Sequence, residues 1–318
     1  MGCSMTKLGV DSISQIAKSL PAFGKITEQS TTIGWLDSYL SLYQLPVSTD
    51  ELDFYCGALE VEQTLIFAAA WEPSQSEGTA IIVHGYLDNL GLYGHLIRHL
   101  LDQNLTVVCF DLPGLGLSEG ERASIDDFSD YTAVLDGVIA LCQDQFTGPF
   151  HGFGQSTGGA ILLKHLLDNE PNGDYPLQTL NLLAPLLHPQ GWRLNRHLLP
   201  FVKPFRKSLK RRFGISSHDP DFLAFIRHQD LFQPKTMPLP WFVAADRWAH
   251  EFETCNGNDF AVNIIQGTGD TTLDWKYNLR LFKQKLPNMS LHIIDGAYHH
   301  MANERQDFRR KIFAAIEL

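Results

Sequence analysis

The chain has 318 residues, enough for one large α/β domain or for a core domain that carries an inserted subdomain. With 44% hydrophobic and 19% charged residues, and no excess among its 25 glycines and 16 prolines, it reads as folded and globular, not disordered or fibrous. A formal net charge of −11 denies it the basic footprint that nucleic acid requires, so any basic site must be local.

The N-terminal stretch lacks the apolar segment of a signal peptide, and no run approaches the about 18 apolar residues that span a bilayer, which predicts a cytoplasmic protein. Cys3, Cys56, Cys109, Cys142 and Cys255 are odd in number and scattered, so neither a disulfide framework nor a zinc ribbon is expected. Met1-Gly2-Cys3-Ser4-Met5-Thr6 fits the M-G-x-x-x-[ST] myristoylation pattern, with a cysteine beside the glycine, but so short a pattern recurs by chance. Residues 1–60 show no clear period apart from a candidate amphipathic helix at 33–43, and read as an N-terminal lead-in.

From Thr64 onward, short β-rich runs at residues 64–71, 79–84, 105–110, 149–153, 179–184, 260–266 and 290–294 alternate with longer segments of helical spacing. That alternation predicts βαβ units and a mostly parallel sheet built from residues 61–187 and 236–318. The runs at 80–83 and 105–110 are almost continuously apolar, as central strands covered on both faces should be. Each leads into a glycine-bearing loop, His84-Gly85-Tyr86 and Asp111-Leu112-Pro113-Gly114, at the strand end where open α/β sheets bind ligands.

Residues 188–235 break the alternation and carry ten basic against three acidic side chains, which marks an inserted cap. Here Leu198, Leu199, Phe201, Val202, Phe205, Leu209 and Phe213 interleave with Lys203, Arg206, Lys207, Lys210, Arg211 and Arg212 in the manner of an amphipathic basic helix. Such a face suits peripheral contact with anionic lipid or a substrate's phosphate. The plainer alternative is an apolar side packed on the core with solvated charges, and Pro200 and Pro204 interrupt any long helix.

Gly154-Gln155-Ser156-Thr157-Gly158 follows a short strand and precedes a helical run at 160–167. This context gives the G-x-S-x-G pattern meaning, because a sharp strand-to-helix turn lifts a serine hydroxyl above the sheet. A serine hydroxyl is a weak nucleophile until a base takes its proton, so a carboxylate and then a histidine should follow. Asp270 ends the run Ile264-Ile265-Gln266-Gly267-Thr268-Gly269, and His299 ends Ile293-Ile294-Asp295-Gly296-Ala297-Tyr298. Neighbouring parallel strands would deliver both to one sheet edge.

Asp274 competes for the acid role but suits the start of the next helix; His300 competes for the base role only if the loop slips by one residue; His292 falls within a strand. The oxyanion donors expected are the backbone N–H groups of Thr157 and Tyr86, with His84 bracing the loop. His95 and His99 lie four apart on a predicted helix without a partner carboxylate, and Gly114-Leu115-Gly116 lacks a nucleotide fingerprint, so no metal and no cofactor is expected.

Beyond the elbow, His84-Gly85-Tyr86-Leu87-Asp88, the long run from Phe110 through Asp111, Gly114, Gly116, Ser118 and Gly120 to Arg122, Gly267-Thr268-Gly269-Asp270, and Gly296-Ala297-Tyr298-His299 with Asn303-Glu304 all carry one likeness. The chain resembles the monoacylglycerol lipase and lysophospholipase branch of the α/β-hydrolases, a serine aminopeptidase-like group, from about residue 60 to the C-terminus. The resemblance implies the α/β-hydrolase fold: a mostly parallel eight-stranded sheet with helices on both faces and an inserted helical cap. It also implies hydrolysis of single-chain acyl esters, of monoacylglycerol or lysophospholipid type, through an acyl-enzyme. The rivals are a peptidase, an amidase or a small-ester hydrolase on the same fold, and a non-catalytic binding protein on this scaffold.

Overall fold

A computed structural model describes residues 16–27, 34–169, 175–192, 196–198 and 205–318. The myristoylation pattern at Gly2 and Cys3 lies outside the described residues.

Apolar β-branched runs become strands and the longer amphipathic runs become helices, in the expected alternation. The order is β1 (Gly24–Lys25), α1 (Leu36–Tyr43), β2 (Leu52–Val61), β3 (Thr64–Pro73), β4 (Gly78–Val83), α2 (Gly94–Leu101), β5 (Leu105–Phe110), α3 (Phe128–Gln145), β6 (Phe150–Gln155), α4 (Thr157–Asn169) and β7 (Thr179–Leu183). After the next segment come α6 (Leu239–Thr254), β10 (Val262–Gly267), α7 (Trp275–Lys285), β11 (Ser290–Ile294) and α8 (Gln306–Phe313). The segment between β7 and α6 leaves the sheet as a 3-10 turn at Arg196–Leu198, β8 (Ser208–Lys210), α5 (Pro220–His228) and β9 (Thr236–Pro238).

The main sheet has the order β1-β2-β3-β5-β4-β6-β7-β10-β11, parallel from β5 to β11 and antiparallel at β1, β2 and β3. It holds nine strands, not eight, because the two-residue β1 adds to the edge of β2. Strands also begin ahead of Thr64. β2 and β3 form a ten-pair hairpin closed by Glu62 and Gln63 with φ of 48° and 68°. A two-residue turn with positive φ at both positions ordinarily takes Asn or Gly, so the Glu-Gln pair hides this hairpin from sequence reading.

Every residue of β4 and β5 is buried. Ile81, Val83, Val108 and Phe110 face a cluster with α3, α4, α6 and α7, while Ala80, Ile82, Val107 and Cys109 face the other side with α1 and α2. α8 covers the far end, where Ile312 packs with Leu183, Ile265 and Ile294. Each fully buried aliphatic side chain contributes about 1.5–3 kcal/mol, so the two central strands anchor the sheet whose C-terminal edge carries the site.

The amphipathic basic helix expected through residues 198–213 is corrected in its described part. Ser208–Lys210 is a strand paired antiparallel with β9, Leu209 opposite Met237. Prolines at 200, 204 and 234 oppose helix, and the ladder gives the backbone its partners in place of helical bonds. Residues 199–204 lie outside the described residues. Among the described residues no helix is long and apolar enough to cross a membrane.

Candidate active site

β6 ends at Gln155 and α4 begins at Thr157, which leaves Ser156 alone at the turn with φ of +53°. A non-glycine residue in that region carries about 1–3 kcal/mol of strain, so the surroundings must hold it. Ser156 N–H donates to Leu183 O at 2.9 Å, and Ser156 O accepts from Ala160 N at 3.1 Å and Leu186 N at 2.9 Å. The flanking glycines are steric requirements: a Cβ on Gly154 would lie 2.5 Å from Gly159 N, and one on Gly158 only 1.9 Å from Val83 O.

β10 and β11 are parallel neighbours, with Gly267 opposite Ile294, so the loops after them open on the same edge. Ser156 Oγ donates to His299 Nε2 at 3.0 Å, and His299 Nδ1 donates to Asp270 Oδ2 at 2.8 Å. Asp270 Oδ1 accepts from Thr272 N at 2.7 Å and Leu273 N at 3.1 Å, and Gln266 Nε2 donates to its Oδ2 at 3.3 Å. Burial acts to raise the pKa of Asp270, but the charge and hydrogen bond of His299 and the two backbone donors outweigh it and hold the carboxyl below its usual range. Burial acts to lower the pKa of His299, and Asp270 and then Asp88 overcome this to raise it above the ordinary 6.5.

The competing residues have other partners. Asp274 caps α7 by accepting from Tyr277 N at 3.4 Å. His292 sits 3.3 Å from Glu317 on β11. His300 Nε2 lies 3.1 Å from Asp88 Oδ2. His99 on α2 stacks against Phe313.

Thr157 opens α4, so its N–H has no intrahelical acceptor, and the residue lines the cavity beside Ser156. Tyr86 lines the same cavity, in a loop braced from several sides. His84 Nδ1 donates to Gly85 O at 2.8 Å, and its Nε2 accepts from Leu112 N at 2.9 Å. Burial pulls the pKa of His84 down to about 4, so the ring stays neutral and keeps both roles. Tyr93 Oη accepts from Gly85 N and donates to Asp88 Oδ2, both at 3.0 Å.

Three groups at the site carry no motif of their own. Gln155, the variable residue of the elbow, donates from Nε2 to His299 O at 2.9 Å and so ties the serine turn to the histidine loop. The Asp88–His300 pair joins the Tyr86 loop to that same loop, and Arg211 lies in the cavity wall. Position in or next to a motif was the signal for the first two; for Arg211 it was only membership in the basic run at residues 203–212. The cavity holds about 370 Å³, with Leu186, Ile226, Trp241, Phe242 and Leu273 as its apolar lining. Tyr86 stacks on Trp241 at 3.7 Å and 7° to make one wall.

The family model described as "Serine aminopeptidase, S33" matches residues 74–306. The chain is 23% identical over 311 residues to the Abhydrolase domain-containing protein abhd-5.2 of Caenorhabditis elegans, covering 87% of this chain but spanning only 65% of that relative's length. It is 22% identical over 264 residues to the Monoglyceride lipase homolog of Monkeypox virus, covering 81% of this chain and 94% of that protein. A soluble variant of monoglyceride lipase from Saccharomyces cerevisiae, solved with a substrate analog, shares the fold at a TM-score of 0.68 and 16% identity, over 81% of this chain and 91% of that one.

Proposed function

The chain belongs to the serine aminopeptidase S33 family, in the monoacylglycerol lipase-like branch of the α/β-hydrolases, and on that premise we propose a serine-dependent hydrolase of single-chain acyl esters. The observation that carries this reading is the hydrogen-bonded chain Ser156–His299–Asp270 at an apolar cavity.

In this reading Ser156 Oγ attacks the ester carbonyl while its proton passes to His299 Nε2. Asp270 holds the imidazole in the tautomer that can accept it and stabilises the imidazolium that forms. The N–H groups of Thr157 and Tyr86 receive the oxyanion, a donor of this kind contributing about 3 kcal/mol to the barrier. Collapse of the adduct breaks the C–O bond, His299 returns the proton to the departing alcohol, and an acyl-enzyme remains. Water, deprotonated by His299, then adds to the acyl carbon and releases the acid and Ser156.

The apolar lining supports an acyl chain as the occupant, and the names of the lipase relatives point to the same class. Residues 188–235 form the cap in this reading. Its exposed Phe205 and Ile215 flank Arg206, Lys207, Lys210 and Arg212, which supports contact with an anionic lipid surface. An aminopeptidase would need a free carboxylate for the substrate ammonium. Asp88, the carboxylate among the described lining residues, already faces His300.

Hydrolysis of p-nitrophenyl esters from two to sixteen carbons tests the reading. A peak at eight carbons or longer is expected, with a loss of roughly a millionfold in kcat in Ser156→Ala. Equal rates in the variant would remove the nucleophile assignment, and activity confined to acetate would make the protein a small-ester hydrolase.

A further inference from the structure

Arg211 follows β8 directly, and its N–H donates to Lys235 O at 3.0 Å, so the β8–β9 ribbon fixes its backbone. The partly buried side chain lines the cavity that contains Ser156 and His299. Its guanidinium carbon lies 4.4 Å over the ring of Phe213, and Nη1 donates to Gln233 Oε1 and, at 3.5 Å, to Pro234 O. Both acceptors are neutral. Among the described residues these bonds run from Nη1 alone, and no carboxylate comes within 4.0 Å of the group.

The two carboxylates whose charge reaches Arg211 are Asp88 and Asp230, and both are engaged elsewhere. Asp88 faces His300 and accepts from Tyr93. Asp230 accepts from Tyr43, Asn89, Gln233 and the Phe232 N–H. Arg122, another guanidinium nearby, differs: it spends both Nη1 and Nη2 on the carbonyls of Gly114, Gly116 and Phe232. A guanidinium is always charged, and withdrawing it from water without an anion is costly. Arg212 follows it in the lining and adds a second positive charge at the exposed rim.

We propose that Arg211 is an anion subsite of this cavity, so that the substrate is an acyl ester bearing a phosphate or carboxylate opposite its acyl chain. The placement follows from the lining, since a charge cannot accompany the methylene chain along Leu186, Trp241 and Phe242. The guanidinium fork matches either oxyanion in bidentate fashion. The word substrate rests on the ester-hydrolase reading; the anion subsite does not.

The test is binding of three octyl ethers that carry no carboxylic ester: 1-O-octylglycerol, its 3-phosphate and its 3-O-carboxymethyl ether. Each is titrated below micelle formation against the fluorescence of the tryptophans, Trp241 lying in the cavity wall. The phosphate is expected to bind at least about tenfold tighter than the neutral ether, the gain of a charge-assisted bond. Arg211→Gln should reduce that ratio to under about threefold, and Arg211→Lys should keep part of it, with thermal melts confirming that both variants are folded. A carboxymethyl ether that matches the phosphate assigns oxyanions generally, and one that matches the neutral ether assigns phosphate. Equal affinity of all three ethers for the wild-type protein, or an anion preference that survives Arg211→Gln, overturns the proposal. Because no ether is cleaved, failure of Ser156-dependent hydrolysis alongside a retained preference would remove the proposed function and leave the subsite standing.

Discussion

His299 sits between two carboxylates of unequal effect. Asp270 bonds to its Nδ1 at 2.8 Å, while Asp88 acts on it only through its charge. Burial alone would lower the pKa of His299, and both carboxylates raise it past 6.5. A general base must be neutral to accept a proton, so under the proposed mechanism kcat/KM should rise with pH through this raised value. Asp88→Asn removes one of the raising charges, so the inflection should move toward acid in pH–rate profiles of the free enzyme. Asp270→Asn should instead cost roughly four orders of magnitude in kcat, because the wrong tautomer is then held. An inflection unmoved by Asp88→Asn would show that the field of this carboxylate does not reach the base.

The elbow between β6 and α4 works as an element because its two outer positions admit no side chain. The Cβ of Gly158→Ala would meet Val83 O at 1.9 Å, at the end of β4, so strand and helix must separate. A destabilisation of about 1–3 kcal/mol is expected in urea melts, together with at least about a tenfold loss of ester hydrolysis as Ser156 shifts. Gly34→Ala, where a Cβ meets nothing within 4 Å, serves as the control and should stay within about 0.5 kcal/mol. Matching melts for the two variants would refute the steric account.

At the scale of the whole molecule, the segment before α5 and the histidine loop are joined through one buried carboxylate. Glu304 accepts from Tyr298 N at 2.6 Å in the histidine loop and from His218 N at 2.8 Å and Nδ1 at 2.9 Å in the segment before α5. Ser217 Oγ adds a bond to Asn303 O at 2.7 Å, and His300 N–H donates to Ser216 O at 2.8 Å. Glu304 is fully buried, so Glu304→Ala leaves these partly buried donors without their acceptor, at up to about 1–3 kcal/mol for each one left unpaired. Thermal melts should show a clear loss in Glu304→Ala and a smaller one in Glu304→Gln, which keeps one acceptor oxygen. Activity should fall with stability, since the same contacts position His299.

The order of elements and the placing of Ser156, Asp270 and His299 after strand ends were legible because each is encoded locally. Seven strand runs show in apolar periodicity, and each of the three residues ends a strand in a turn that needs glycine. The β2–β3 hairpin was not legible, because Glu62 and Gln63 take positive φ without the residues that usually announce it. The ribbon at Ser208–Lys210 was misread as helix, because basic and apolar residues interleave at either period and only pairing with Thr236–Pro238 decides between them. His300, which faces Asp88, His299, which accepts from Gln155, Gln233, which accepts from Arg211, and His218, which donates to Glu304, lie 22 to 212 residues from those partners in the chain. Local propensity therefore determined which residues could act, while only the tertiary packing of residues 205–238 against the sheet decided which charges are paired, and that Arg211 is left lining the cavity.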